Sequence, residues 1–115
     1  MATPQQTTVA TLETPLPSAQ TLLQAAKIAQ QTDRPIQLDY YADTCLKKAV
    51  FGEDPETKEK ILIKNNDEYT SLIQKIYKAG IKDQEDFLVL TENSIYIVSG
   101  KTEKRKISTS ALQHD

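Results

Sequence analysis

Asp39 and Asp43 flank Tyr40-Tyr41-Ala42, and paired carboxylates at that spacing could hold a divalent cation or exchange protons with a substrate. If Asp39 lies on a strand and Asp43 in the turn that follows, the two need not converge. They then read as polar positions at a strand end. Cys45 is the single cysteine, so no intrachain disulfide can form; it reads as an apolar strand residue, with a functional thiol as the sharper alternative. His114 is the only histidine and sits next to the last residue, which leaves no ordinary Ser–His or Cys–His dyad and no histidine-based zinc site. Glu53-Asp54-Pro55-Glu56 lacks the ligand spacing of a calcium loop and reads as a solvated turn. Gly52, Gly80 and Gly100 are too far apart to cradle a phosphate. The sequence therefore offers no catalytic residue, no metal site and no cofactor, and the expectation is a protein that is not an enzyme.

Two other groupings could do recognition. Lys101, Lys104, Arg105 and Lys106 form one basic cluster, interrupted by Glu103. With five tyrosines and two phenylalanines as stacking surfaces, these residues could serve single-stranded nucleic acid on a small β-barrel. Lysines at such places also protect edge strands from aggregation. Tyrosine is favoured where one end is buried and the other wet, which includes protein interfaces. Tyr40, Tyr41 and Tyr96, with Leu22, Leu23 and Ile28 from the N-terminal region, are the candidate protein-contact residues.

The chain has 115 residues, 38% hydrophobic and 26% charged, with a formal net charge of −2. That balance lacks the basic excess of a dedicated nucleic-acid binder. The N-terminus, MATPQQTTVATLE, has neither a basic region nor an apolar core, so no signal peptide is expected. No apolar run approaches the ~20 residues of a membrane span. Ala2 stands where myristoylation needs glycine, and the LQHD end is not a prenylation box. A soluble, cytoplasmic protein with no membrane insertion is the expectation.

These groups must be positioned by a small core. Residues 1–17 are rich in Thr, Gln, Ala and Pro and read as an extended low-complexity arm. Ser18 can cap a helix in which Leu22, Ala25, Ala26 and Ala29 recur at helical spacing, and Asp33-Arg34-Pro35 ends it, making 18–35 a helix and linker. Residues 36–107 hold all the aromatics. Such a core has about 70 residues, and a domain of that size buries only roughly 60% of the surface its unfolded chain exposes. Ile36 to Tyr40 alternates as a strand; 42–44 reads as a turn, 45–51 as a second strand, 52–58 as a loop and 59–64 as a third strand. Tyr69, Leu72, Ile73, Ile76 and Tyr77 fit helical spacing while their β-branched and aromatic types fit a strand, so 69–79 stays open.

Phe87–Ser99, FLVLTENSIYIVS, reads as a β-hairpin turning at Glu92-Asn93-Ser94, with Asn93 suited to a positive φ. Leu88 and Leu90 point one way and Phe87 and Val89 the other; Ile95 and Ile97 likewise oppose Tyr96 and Val98. Neither face is polar, so both need cover. A last short strand runs through 105–107, and 108–115 is a tail. The fold class is β-rich α+β: a small antiparallel meander, sandwich or barrel with an N-terminal arm and helix.

The segments DEYTSLIQKIYKAG (67–80) and FLVLTENSIYIVSG (87–100) resemble small virion-associated, minor capsid-like proteins of nucleocytoplasmic large DNA viruses. The resemblance implies a virion protein whose partners are other proteins, capsid proteins among them, and carries over no site residue. The functional expectation is a non-enzymatic structural or assembly protein; the alternative is a small β-barrel that binds single-stranded nucleic acid.

Overall fold

The computed structural model describes residues 15–112. The arm at 1–14, and His114 with the last residues of the tail, lie outside the described residues.

Helix α1 (Ala19–Thr32) begins where the sequence places it: the Ser18 hydroxyl accepts from the Thr21 N–H at 3.1 Å. It ends at Asp33, which takes a left-handed φ of 57° and returns its N–H to the Ala29 carbonyl. Strand β1 (Ile36–Gln37) follows, shorter than the predicted strand. The chain then enters a single helical turn, α2 (Tyr41–Cys45), where the sequence predicts a turn and the start of a strand. The cause is local hydrogen bonding. Thr44 and Leu46 donate to Tyr40 and Ala42, and the Lys48 and Ala49 N–H groups both turn back to the Asp43 carbonyl. Lys47 at φ 64° closes that loop, so β2 (Val50–Glu53) starts five residues later than predicted.

Strands β3 (Lys60–Asn65), β4 (Glu68–Tyr69), β5 (Ile73–Ile81), β6 (Gln84–Thr91), β7 (Ile95–Ser99) and β8 (Lys104–Lys106) complete the sheets. A final turn of helix, α3 (Thr109–Leu112), lies within the predicted tail. The open question at 69–79 resolves without a helix: Tyr69 ends β4, 70–72 connect, and 73–79 lie in β5, whose pairing along β6 satisfies their backbone groups. Gly80 sits in β5 at φ 101°, where a Cβ would collide with the Gln84 carbonyl oxygen.

The strands form two four-stranded sheets, β1-β7-β6-β5 and β4-β3-β2-β8, and no barrel closes. Both sheets are mixed, because β1 pairs with β7 and β2 with β8 in parallel. The fold is the expected β-rich α+β class, with two mixed sheets in place of a purely antiparallel meander. Local sequence signals hairpins; it does not signal pairings between strands some 50 residues apart.

The β6–β7 hairpin is central, and each of its apolar faces is covered within the chain. Leu88, Leu90, Ile95 and Ile97 pack with Ala25, Ile28 and Ala29 of α1. Val89 and Val98, with Phe87 and Tyr96, pack on Phe51 and Leu62 of the second sheet. Each fully buried aliphatic side chain contributes roughly 1.5–3 kcal/mol relative to exposure, so the hairpin and its two covers form one core in three layers: helix, sheet, sheet. Its turn differs from expectation. Asn93 does not take a positive φ; the Thr91 N–H donates to the Ser94 carbonyl at 2.9 Å, and the Thr91 hydroxyl accepts from the Ser94 N–H at 3.2 Å. No helix among the described residues is long and apolar enough to cross a membrane.

Candidate functional site

The six residues predicted as a protein interface do not make one surface. Tyr40 and Tyr41 are buried, Tyr41 to 4% exposure, and lie in different core clusters. Ile28 packs on the helix side of the first sheet, and Tyr96 is half-buried between the sheets, its ring 5.5 Å from that of Tyr40 in an edge-on contact. Only Leu22 and Leu23 stand out in solvent, Leu23 at 51%. Adjacent tyrosines on a short helical turn point to opposite layers, and their burial pushes both hydroxyls up, that of Tyr40 to about 12. The same burial removes these tyrosines as stacking surfaces for nucleotide bases.

Asp39 and Asp43 are also accounted for. The Lys64 ammonium pairs with Asp43 Oδ2 at 2.8 Å, donates to the Asp39 backbone carbonyl at 3.3 Å and lies 4.4 Å from the centre of the Tyr40 ring. The Asp43 bond raises the Lys64 pKa, which keeps the lysine charged in this half-buried place. The Asp43 carboxyl thus has its counter-charge from within the protein.

A cleft of about 620 Å³ opens at the end of the first sheet between Leu16, Tyr41, Cys45, Lys82, Asp86 and Lys101. On its floor Asp86, 1% exposed, accepts at 2.7 Å from the Tyr41 hydroxyl and at 2.7 Å from the Thr21 hydroxyl. Gln84 Nε2 donates to the Tyr41 oxygen at 3.1 Å and to the Leu16 carbonyl at 2.9 Å. Both Asp86 oxygens are engaged, and burial pushes the Cys45 thiol up, away from the reactive thiolate. The network fastens α1 and α2 to β6. Sequence reading passed over Asp86; the signal was a carboxyl next to the apolar run that begins at Phe87.

The remaining feature is the sheet edges: β1 and β4 are two residues each, which leaves β5 and β8 as the longer edge strands among the described residues. In the first sheet, Gly100 donates to the Glu85 carbonyl and Thr91 to that of Ser94, so the odd-numbered residues of β6 turn their backbone groups towards β7. The even-numbered ones bond β5, through its residues 75, 77, 79 and 81. Ile76, Lys78 and Gly80 therefore direct their N–H and C=O groups outward. The Gly80 N–H is met by Gln24 Oε1 at 2.9 Å. Near the other end, Arg34 bonds the Gln74 side chain at 3.1 Å and the Glu92 carbonyl at 3.3 Å. Helix α1 thus guards one end of the edge and Arg34, just beyond the helix, stands near the other; among the described residues Ile76 and Lys78 are left open between them. On the helix-facing side of the strand stand Tyr77 and Ile81, the latter 50% exposed.

The second edge is β8. Phe51 donates to the Glu103 carbonyl and Ile107 to that of Glu53, which places Arg105 in the ladder with β2 and leaves Lys104 and Lys106 with outward backbone groups. All three β8 side chains are exposed, as is Lys101. Lys104, Arg105 and Lys106, with Lys58, Glu53 and Pro55, line a groove of about 370 Å³, while Lys101 belongs to the cleft above Asp86. The chain matches no family model, no curated protein and no solved structure.

Proposed function

We propose that this chain is a non-enzymatic assembly protein that contacts other proteins by strand addition at its open sheet edges, first of all along β5. The observation that carries the reading is that edge: a nine-residue strand with Ile76 and Lys78 unpaired on one side and exposed Tyr77 and Ile81 beside them. An extended segment laid there would gain main-chain hydrogen bonds, each contributing about 0.5–1.5 kcal/mol net, and would cover the two apolar side chains. The commitment of Asp43, Asp86 and Cys45 to structural contacts supports a non-catalytic role. A minor capsid component is the particular form of assembly protein that the sequence resemblance adds to this reading. A reading as a single-strand binder loses Tyr40 and Tyr41 to burial and keeps only Tyr69 and Tyr77 as exposed rings.

A photoactivatable side chain at Lys78 tests the reading in cells that produce the protein. Discrete cross-linked protein adducts are expected at 78 and not at Lys27, which is exposed on the outer side of α1. Ile76→Pro, which removes an outward N–H, should abolish them. Equal adducts at the two positions, or none at 78, would contradict the reading.

A further inference from the structure

The groove at β8 differs from the β5 edge in charge and in how firmly it is held. Four cationic side chains, Lys58, Lys104, Arg105 and Lys106, line it against one carboxylate, Glu53. Lys58 comes from the loop that follows β2, and the backbone of that loop is fixed by a buried brace. Asp54 Oδ1 accepts from the Glu56 and Thr57 N–H groups at 2.9 and 3.4 Å, and Oδ2 accepts from the Thr109 N–H and hydroxyl, each at 3.1 Å. The Lys58 N–H closes the loop onto the Asp54 carbonyl at 2.7 Å, and Lys58 itself holds a φ of 68°, a conformation that a free loop would leave. The backbone that carries these cations is thus set by the fold before anything binds.

The backbone decides what kind of anion fits. Lys104 and Lys106 present outward C=O groups as well as N–H groups. Nucleic-acid phosphates only accept hydrogen bonds and would leave those carbonyls without donors, whereas a polypeptide supplies both donors and acceptors. Residues 1–14 and 113–115 hold only Glu13 and Asp115 as acidic side chains, fewer than the four cations of the groove. We infer that the β8 groove binds an acidic, extended segment of a partner protein, added as a strand beside Lys104–Lys106 with its carboxylates between β8 and Lys58. The inference rests on the protein-contact reading in kind but uses a different edge.

Fluorescence anisotropy on the full chain tests it with a labelled peptide of about ten residues that alternates Glu and Thr. Binding is expected, and should weaken at least about tenfold when salt rises from about 50 to about 200 mM. Lys58→Glu and Arg105→Glu, both at exposed positions, should each weaken it by a similar factor, with circular dichroism reporting an unchanged fold. A peptide with Pro in place of Thr keeps the charge but loses half of its N–H donors, and should bind far more weakly. The inference fails if the acidic peptide does not bind, if the proline peptide or an oligothymidine binds as well as it does, or if Arg105→Glu changes nothing. It fails too if the groove is filled by concentration-dependent self-association that Lys58→Glu abolishes. Tyr77→Lys on β5 should leave peptide binding intact while removing the adducts at Lys78, so a failure at β8 and a failure of the β5 reading give different results.

Discussion

Of the four edge strands, β1, β4, β5 and β8, the last two are guarded in opposite ways. β5 is nine residues long and mixed in polarity, and the N-terminal segment closes on it: Gln24 of α1 occupies the Gly80 N–H at one end, and Arg34, just beyond the helix, reaches Gln74 near the other. β8 is three residues long, wholly exposed and cationic, and its protection is charge. Lysines on an edge repel a second copy of that edge, which is a recognised defence against aggregation. The same lysines make the edge selective for an acidic strand. An edge closed by a helix can be opened by moving the helix, while an edge closed by charge is opened by the right partner. The contrast predicts that the two edges respond to different substitutions.

The largest effect is expected at the fastening of α1. Asp86→Ala removes two buried hydrogen bonds and leaves the Tyr41 and Thr21 hydroxyls without their acceptor, costing roughly 3 kcal/mol in urea unfolding. Amide exchange should accelerate across β5 and α1 while β8 keeps its pattern. If β8 loosens equally, the edges are not independently guarded.

The second substitution acts on the other edge. The Asp54 carboxyl is held below the usual carboxylate range by the Glu56 and Thr109 N–H groups. A carboxyl depressed in the folded state stabilises the fold above its unfolded value of about 3.9, and that contribution is lost as pH falls through the folded value. Acid should therefore release the 53–58 loop and the groove before it affects β5. Asp54→Asn should weaken binding of the acidic peptide at neutral pH and remove this part of the acid sensitivity, read as melting temperature against pH.

How much of this was legible in the sequence follows the range of the interactions. The hairpin and its two apolar faces were legible because Leu88, Leu90, Ile95 and Ile97 alternate with Val89, Tyr96 and Val98 within a few residues. The ends of α1 were legible because Ser18 and Asp33 to Pro35 act locally. The α2 turn was not, because Asp43 draws the Lys48 and Ala49 N–H groups back onto its own carbonyl inside what reads as a β-prone run. The tyrosines misled for another reason: composition marks them as interface residues, but here Tyr41 donates to a buried carboxyl 45 residues away and Tyr40 lies under Lys64. The edges were invisible, since strand order is set by the parallel pairings of β1 with β7 and β2 with β8. The basic cluster was seen; Lys58, which completes it, was not.

A smaller effect comes from Gln24→Ala. It frees the Gly80 N–H and should cost about 0.5–1 kcal/mol by urea unfolding, while extending the open part of β5 by one residue. Cross-linking from Lys78 should rise, or extend towards Ile81, with no change at β8. The smallest effect is expected from Lys75→Ala, which removes an exposed ammonium 5.5 Å from the Tyr77 ring. Stability should change by less than about 0.5 kcal/mol, and acidic-peptide binding not at all.

Residue-resolved amide exchange of the purified chain, free and with the acidic peptide, tests the contrast between the edges most directly. In the free chain the Ile76, Lys78, Lys104 and Lys106 amides should exchange quickly while Tyr77 and Arg105, which bond inward, exchange slowly. On adding the peptide, Lys104 and Lys106 should become protected and Ile76 and Lys78 should not change. Protection of Ile76 and Lys78 in the free monomer, or protection gained at β5 rather than β8, would contradict the account.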